Sequence, residues 1–223
     1  MSWLKCAAVA AMSFVVLTSG ASAAETNGKP IWSGWYVGIE GGWARAQAAQ
    51  TNTKTNVSDG YYGQGGGLAG GTFGYNWQMA DWVVGLETDL AWSGIKGEET
   101  ICGPAHNQIC PTELRSFGTA RGRVGYLVIP STMIYAAGGL AYGEIKAYKE
   151  TVAVTGGDDW RTGWTIGGGV ETMFAPHWSF KVEYLYATFP GTATTYTITA
   201  SSTPISAVER DIHMVRGGVN WHF

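Results

Sequence analysis

The segment Met214-Val215-Arg216-Gly217-Gly218-Val219-Asn220-Trp221-His222-Phe223 decides the fold. Taken at every second residue, it separates Val215, Gly217, Val219, Trp221 and Phe223 from Met214, Arg216, Gly218, Asn220 and His222. Successive side chains of an extended strand leave opposite faces, so one face here is apolar and aromatic while the other is small, polar or charged. A soluble sandwich would bury the apolar face against a second sheet. The rest of the chain argues instead that lipid covers it.

Working back from that segment, seven more runs show the same period. In Gly34 to Ala46, Trp35, Val37, Ile39 and Trp43 oppose Tyr36, Gly38, Glu40 and Gly42. A second run sets Ala69, Phe73, Tyr75 and Trp77 against Gly70, Thr72, Gly74 and Asn76. After a tight connection at Gln78 to Asp81, Trp82, Val84, Leu86, Leu90 and Trp92 oppose Gly85, Glu87 and Asp89. The fourth run places Ala120, Val124, Tyr126 and Val128 opposite Thr119, Arg121, Arg123 and Gly125, and a turn at Pro130 follows. In the fifth, Thr132 to Glu144, the outward set is Ile134, Ala136, Leu140 and Tyr142. Tyr135 and Ala137 on its other face leave that register weakly determined. The sixth sets Trp164, Ile166, Val170 and Phe174 against Thr165, Gly167, Gly169 and Glu171; the seventh sets Trp178, Phe180, Val182, Tyr184 and Tyr186 against Ser179, Lys181 and Glu183.

Short turns follow the even runs and long polar stretches the odd ones, among them a Thr- and Ser-rich loop before the last strand. That is the layout of an all-β, eight-stranded antiparallel transmembrane β-barrel with both termini on the periplasmic side. Hydrocarbon offers no partner to a free amide or carbonyl, so strands persist there only as a closed cylinder. Trp35, Trp43, Trp77, Trp82, Trp92, Trp164 and Trp178 lie near the ends of the runs, where interfacial girdles stand.

Composition agrees. The chain holds 33 glycines, 11 tryptophans and 11 tyrosines, with 14% charged residues and a net charge of -3. Soluble domains average about 7% glycine and about 25% charge. Nothing in this balance carries the basic footprint of a nucleic-acid partner. At the start, Lys5, the apolar run Ala7 to Leu17 and the small residues Ala21-Ser22-Ala23 predict a signal peptide over residues 1–23, cleaved between Ala23 and Ala24. A periplasmic segment at 24–33 and a barrel over 34–223 follow, with the cell outer membrane as destination.

The inward faces contribute five acids, Glu40, Glu87, Asp89, Glu171 and Glu183, and four bases, Arg121, Arg123, Lys181 and Arg216. Two readings are open: an ion path through the lumen, or a plug of ion pairs that fills the interior and sets strand register. The narrow bore of an eight-stranded barrel favours the plug. It also leaves no cleft for a pair of carboxylates to act on a glycosidic bond.

Other motifs carry less. Cys102 and Cys110, in a long loop of an exported chain, predict a disulfide worth roughly 2–3 kcal/mol. With His106 between them a metal is the alternative, but the spacing is not that of a zinc site. Gly65, Gly67 and Gly70 satisfy GxGxxG yet precede a strand, without the strand-turn-helix context of a dinucleotide site. Asn56-Val57-Ser58 matches a glycosylation sequon that is uninformative in this setting. His106, His177, His213 and His222 are scattered. A lipid-modifying enzyme would need a serine or histidine with an acid at the outer rim, where only His213 and Glu209 offer themselves, and poorly. Neither a catalytic centre nor a bound cofactor is expected.

Several blocks carry a resemblance: Trp32-Ser33-Gly34-Trp35-Tyr36-Val37-Gly38, Gly74-Tyr75-Asn76-Trp77-Gln78, Val84-Gly85-Leu86-Glu87-Thr88-Asp89, Arg121-Gly122-Arg123-Val124-Gly125-Tyr126, Gly138-Gly139-Leu140-Ala141-Tyr142-Gly143, Val182-Glu183-Tyr184-Leu185-Tyr186 and the final segment. In order and spacing the chain resembles the small outer-membrane proteins of alpha-proteobacteria, the porin-family or outer-membrane immunogenic proteins with an OmpA-like barrel. That resemblance implies an abundant surface antigen contributing to envelope integrity and host contact, surrounded by outer-membrane lipid and lipopolysaccharide. Some members are described as small diffusion porins or haem binders. Val219, Trp221 and Phe223 resemble the signal read by the barrel-assembly machinery.

Overall fold

The computed structural model describes residues 31–52, 57–97, 101–102, 108–109, 112–147, 154–155, 158–190, 194–198 and 203–223. The Ala23–Ala24 cleavage site, His106 and Asn56 lie outside them, and so does Cys110, on which the disulfide depends. Eight long strands are present: β1 (Gly34–Asn52), β2 (Val57–Met79), β3 (Trp82–Gly97), β4 (Thr112–Ile129), β5 (Thr132–Ala147), β6 (Asp158–Ala175), β7 (Trp178–Thr188) and β8 (Thr203–His222). Each pairs antiparallel with the next, and β1 pairs with β8 from Tyr36↔His222 to Asn52↔Ile205, which closes the cylinder. The backbone amide of Phe223 donates to Trp35 O at 3.0 Å, extending the seam by one residue.

The eight runs keep their predicted faces, the fifth included. Tyr135 and Ala137 are buried inside the barrel, whereas Ile134, Ala136 and Leu140 are exposed outside it. The strands are longer than the alternation indicated. β1 and β2 continue through the Thr- and Asn-rich stretch, and β8 begins at Thr203 within the Thr- and Ser-rich stretch read as a loop. There Thr194–Ile198 forms a further strand paired with β8, and Val154–Thr155 pairs with that strand. These rungs lack the lipid-facing apolar alternation, so the period that reveals the spanning part does not reveal them.

At the other end, Ala80-Asp81, Pro130-Ser131 and Pro176-His177 are two-residue connections. Proline fixes φ near −65°, suited to the first corner of a type I turn, and both proline hairpins carry an irregular register beside the turn. Ala80 instead sits at φ 53°, a left-handed conformation that its Cβ disfavours by about 1–2 kcal/mol. Ala80→Gly is therefore expected to raise stability by about 0.5–1 kcal/mol, after the entropy glycine loses on folding. A shift of the urea midpoint with an unchanged slope would show it.

Inward glycines allow the strands to approach closely. A Cβ on Gly42 would lie 2.1 Å from Val215 O, and one on Gly169 would lie 2.3 Å from Val182 O. No such contact is sterically allowed.

The barrel interior as candidate functional site

The lumen is layered. At the short-turn end Trp32, Val83, Leu127, Met133, Tyr135, Ala137 and Met173 form an apolar cluster. Trp32 comes from the segment before β1 and is fully buried. Its amide donates to Gln78 Oε1 at 3.1 Å, its Nε1 donates to Pro130 O at 3.1 Å, and Gln78 N donates to Ser33 Oγ at 2.9 Å. The chain thus turns into the barrel mouth before it enters the wall. Towards the long-loop end Leu68, Ile95, Leu114, Phe117, Phe189, Ile212 and Met214 belong to a second apolar cluster.

Between these layers lie all nine charged residues expected from the alternation, each at most 5% exposed. Arg216 is the hub: Nη1 meets Glu40 Oε1 at 2.6 Å and Asp89 Oδ1 at 3.1 Å, and Nη2 meets Glu183 Oε1 at 2.6 Å. Arg121 pairs closely with Glu87, and with Glu183 at 3.0 Å and Asp89 at 3.3 Å. Lys181 Nζ stands 3.1 Å from Glu40 Oε2 and 3.4 Å from Glu87 Oε1; the first is an ion contact without hydrogen-bond alignment. Arg123 pairs with Glu171 at 2.9 Å and lies over the rings of Tyr36 and Tyr135, 4.7 and 5.4 Å from their centroids, adding a cation–π contribution.

Neutral partners complete the layer, and the sequence reading, which counted only charges, passed over them. Tyr36 Oη donates to Glu87 Oε2 at 2.7 Å, Tyr135 Oη to Glu183 Oε2 at 3.2 Å, and Thr119 Oγ1 to Asp89. Glu171 accepts from Ser179 Oγ at 2.5 Å and Asn220 Nδ2 at 2.7 Å, while His222 Nε2 lies 2.9 Å from Ser179 Oγ. Tyr36, Asn220 and His222 were visible on the inward faces of their runs. What the alternation could not show is which carboxylate each one reaches. The carboxylates come from β1, β3, β6 and β7; some pairs, such as Glu87 with Arg121 and Glu171 with Ser179, join neighbouring strands, while others, such as Asp89 with Arg216 and Glu171 with Arg123, tie strands that are not adjacent.

A buried ion pair gains little net stability over an apolar filling, because desolvation offsets the attraction, but removing one partner strands the other. The network therefore penalises any slip of a strand: a one-residue shift would send its charge to the outer face.

That outer face carries the opposite chemistry. Ile39 is 73% and Trp92 79% exposed, with Trp35, Phe73, Leu86, Leu90, Leu140, Ile166 and Phe180 also uncovered. So much contiguous apolar surface is untenable in water. Trp35 stacks on Phe73, and Trp178 meets Trp221 edge-on, at the short-turn end; Trp164 contacts Tyr186 nearer the other. Among the described residues no helix is long enough and apolar enough to cross a membrane. Val219, Trp221 and Phe223 belong to the exposed outer face, with Trp221 against Trp178 and His177.

Of the rim pair, His213 faces outward with Nδ1 2.6 Å from Tyr184 Oη, and the side chain of Glu209 lies outside the described set. Among the described residues no group of three or more His, Cys, Asp or Glu side chains is placed to hold a metal.

A closed antiparallel barrel with a lipid-exposed outside and a polar core defines an integral outer-membrane protein. Residues 8–223 match the family of the outer membrane protein beta-barrel domain, and the chain belongs to that family. It is 34% identical over 168 residues to the 31 kDa outer-membrane immunogenic protein of Brucella melitensis, covering 70% of each chain. It is also 32% identical to the 22 kDa outer membrane protein of Rhizobium leguminosarum, over 71% of this chain and 64% of that one. Among solved structures, OprG of Pseudomonas aeruginosa superposes with a TM-score of 0.50 at 14% identity, covering 86% of this chain and 97% of that one. The last likeness speaks to the fold alone.

Proposed function

We propose that this protein is a structural and surface-contact component of the outer membrane, a non-enzymatic barrel that stiffens the envelope and displays its long connections to the outside, where host molecules meet them. The observation that carries this reading is the buried charged layer held between two apolar layers, which fills the bore with paired side chains. The Brucella relatives, named outer-membrane immunogenic proteins, agree with display at the surface. Its partners on this reading are lipid and lipopolysaccharide around the wall, and the assembly machinery that reads Val219, Trp221 and Phe223.

A second reading, a small diffusion pore, draws on Asn76 Nδ2, Arg121 Nε and Arg123 Nη2, buried donors without a hydrogen-bond acceptor among the described residues, which water would satisfy. Planar-bilayer conductance separates the two. Barrels verified by their heat-modifiable mobility are expected to remain silent. Stable unitary currents that change when Arg121 or Glu87 is neutralised would place the pore first.

A further inference from the structure

Below one rung of the wall, the described lipid-facing side chains include no charged residue. That rung joins three strands: Arg45 on β1 is the register partner of His213 on β8, and His213 is the partner of Tyr186 on β7. Its height is set by the chain itself. Trp35 and Phe223 are joined by a backbone hydrogen bond at the short-turn end. Arg45 and His213 each stand ten residues beyond them. Ten residues span about 33 Å along a strand, or about 25 Å of membrane normal at a tilt near 40°, the height of the apolar band of such barrels. The rung therefore stands at the headgroup level of the external leaflet.

The side chains there form a built cluster. His213 is held between Tyr184, whose Oη lies 2.6 Å from His213 Nδ1, and Tyr186, whose ring centroid is 5.3 Å away. Tyr186 Oη donates to Asp211 Oδ1 at 2.5 Å, so that carboxylate is already engaged. Asp211 adopts φ 54° at the register shift opposite Arg45 and Gln47. Such a bulge re-aims neighbouring side chains. Arg45, by contrast, is exposed and pairs with no carboxylate among the described residues, although Asp211 is near in the register. A guanidinium with no carboxylate partner among the described residues, at headgroup depth beside the Tyr184–His213 pair, suits a phosphate: it offers a planar fork of donors, and that pair keeps one further proton to donate.

We infer that Arg45, with His213 and Tyr184, binds the phosphate of an acylated saccharolipid headgroup in the external leaflet. Trp43 and Trp164, both exposed nearby, would pack on its sugar and the upper ends of its acyl chains. The site rests on the reading that lipopolysaccharide surrounds the wall, and it stands independently of whether the lumen conducts.

The test uses protein extracted from outer membranes in detergent, titrated with bisphosphorylated lipid A, with the same lipid stripped of phosphate, and with inorganic phosphate. Binding is read by tryptophan fluorescence and native mass spectrometry. The phosphorylated lipid should bind at least tenfold more tightly than the stripped one. Arg45→Gln should remove that difference, and Arg45→Lys should restore part of it, with heat-modifiable mobility intact in both because the side chain is exposed. Equal binding of the two lipids, an unaffected Arg45→Gln variant, or full displacement by millimolar inorganic phosphate would each overturn the proposal.

Discussion

Replacing Arg216 by methionine should cost about 3–5 kcal/mol, read as a fall in the urea midpoint of the refolded barrel in detergent or lipid. The loss is large because three carboxylates on three strands, Glu40 on β1, Asp89 on β3 and Glu183 on β7, converge on this one guanidinium. Two of them keep other cations: Asp89 and Glu183 are both within reach of Arg121. Glu40 retains only the ion contact with Lys181 among the described residues. Adding Glu40→Gln to Arg216→Met should therefore recover about 0.5–3 kcal/mol, the coupling typical of groups in one network. A single variant within about 1 kcal/mol of the parent would mean that the charged layer is hydrated and loose, contrary to the packing described. Such a result would also favour the pore over the plug.

The second large effect concerns a residue that precedes the barrel wall. Trp32→Ala removes a fully buried indole from the cluster with Val83, Leu127, Met133 and Met173, and should cost about 3–5 kcal/mol. Trp32→Phe keeps most of the filling but loses the donation from Nε1 to Pro130 O, and should cost only about 0.5–1.5 kcal/mol. The contrast separates packing from hydrogen bonding. Because Trp32 closes the short-turn mouth, the alanine variant is also the one in which currents should first arise if the remaining layers do not seal the bore. A full-strength Trp32→Ala barrel would show that the segment before β1 is an accessory and that Tyr135 and Met173 suffice to close that end.

Much of this was legible from period two alone. The alternation in the Met214 to Phe223 segment and in the seven other runs assigns each side chain to wall or lumen, because lipid and a narrow core impose opposite chemistries on adjacent residues. From it came the strand number, the membrane that surrounds the barrel and the nine interior charges, while the antiparallel order came from the short turns after the even runs and the long stretches after the odd ones. The upper rungs of β1, β2 and β8 were hidden, because water accepts polar side chains on the outer face and no alternation marks those residues. The burial of Trp32 was hidden too: its docking depends on Gln78 and Pro130, brought to it only when the barrel closes.

Pairing was likewise a tertiary matter. The sequence determines that Glu40, Glu87, Asp89, Glu171 and Glu183 share a lumen with Arg121, Arg123, Lys181 and Arg216. Only the closed cylinder decides that Arg216 serves three acids, that Arg123 sits between two tyrosines, and that Glu171 relies on Ser179 and Asn220. Facing is a local property, set by each residue's place in its own strand. Contact across the bore depends on stagger, strand tilt and side-chain length summed around all eight strands, and no single run of residues contains that sum.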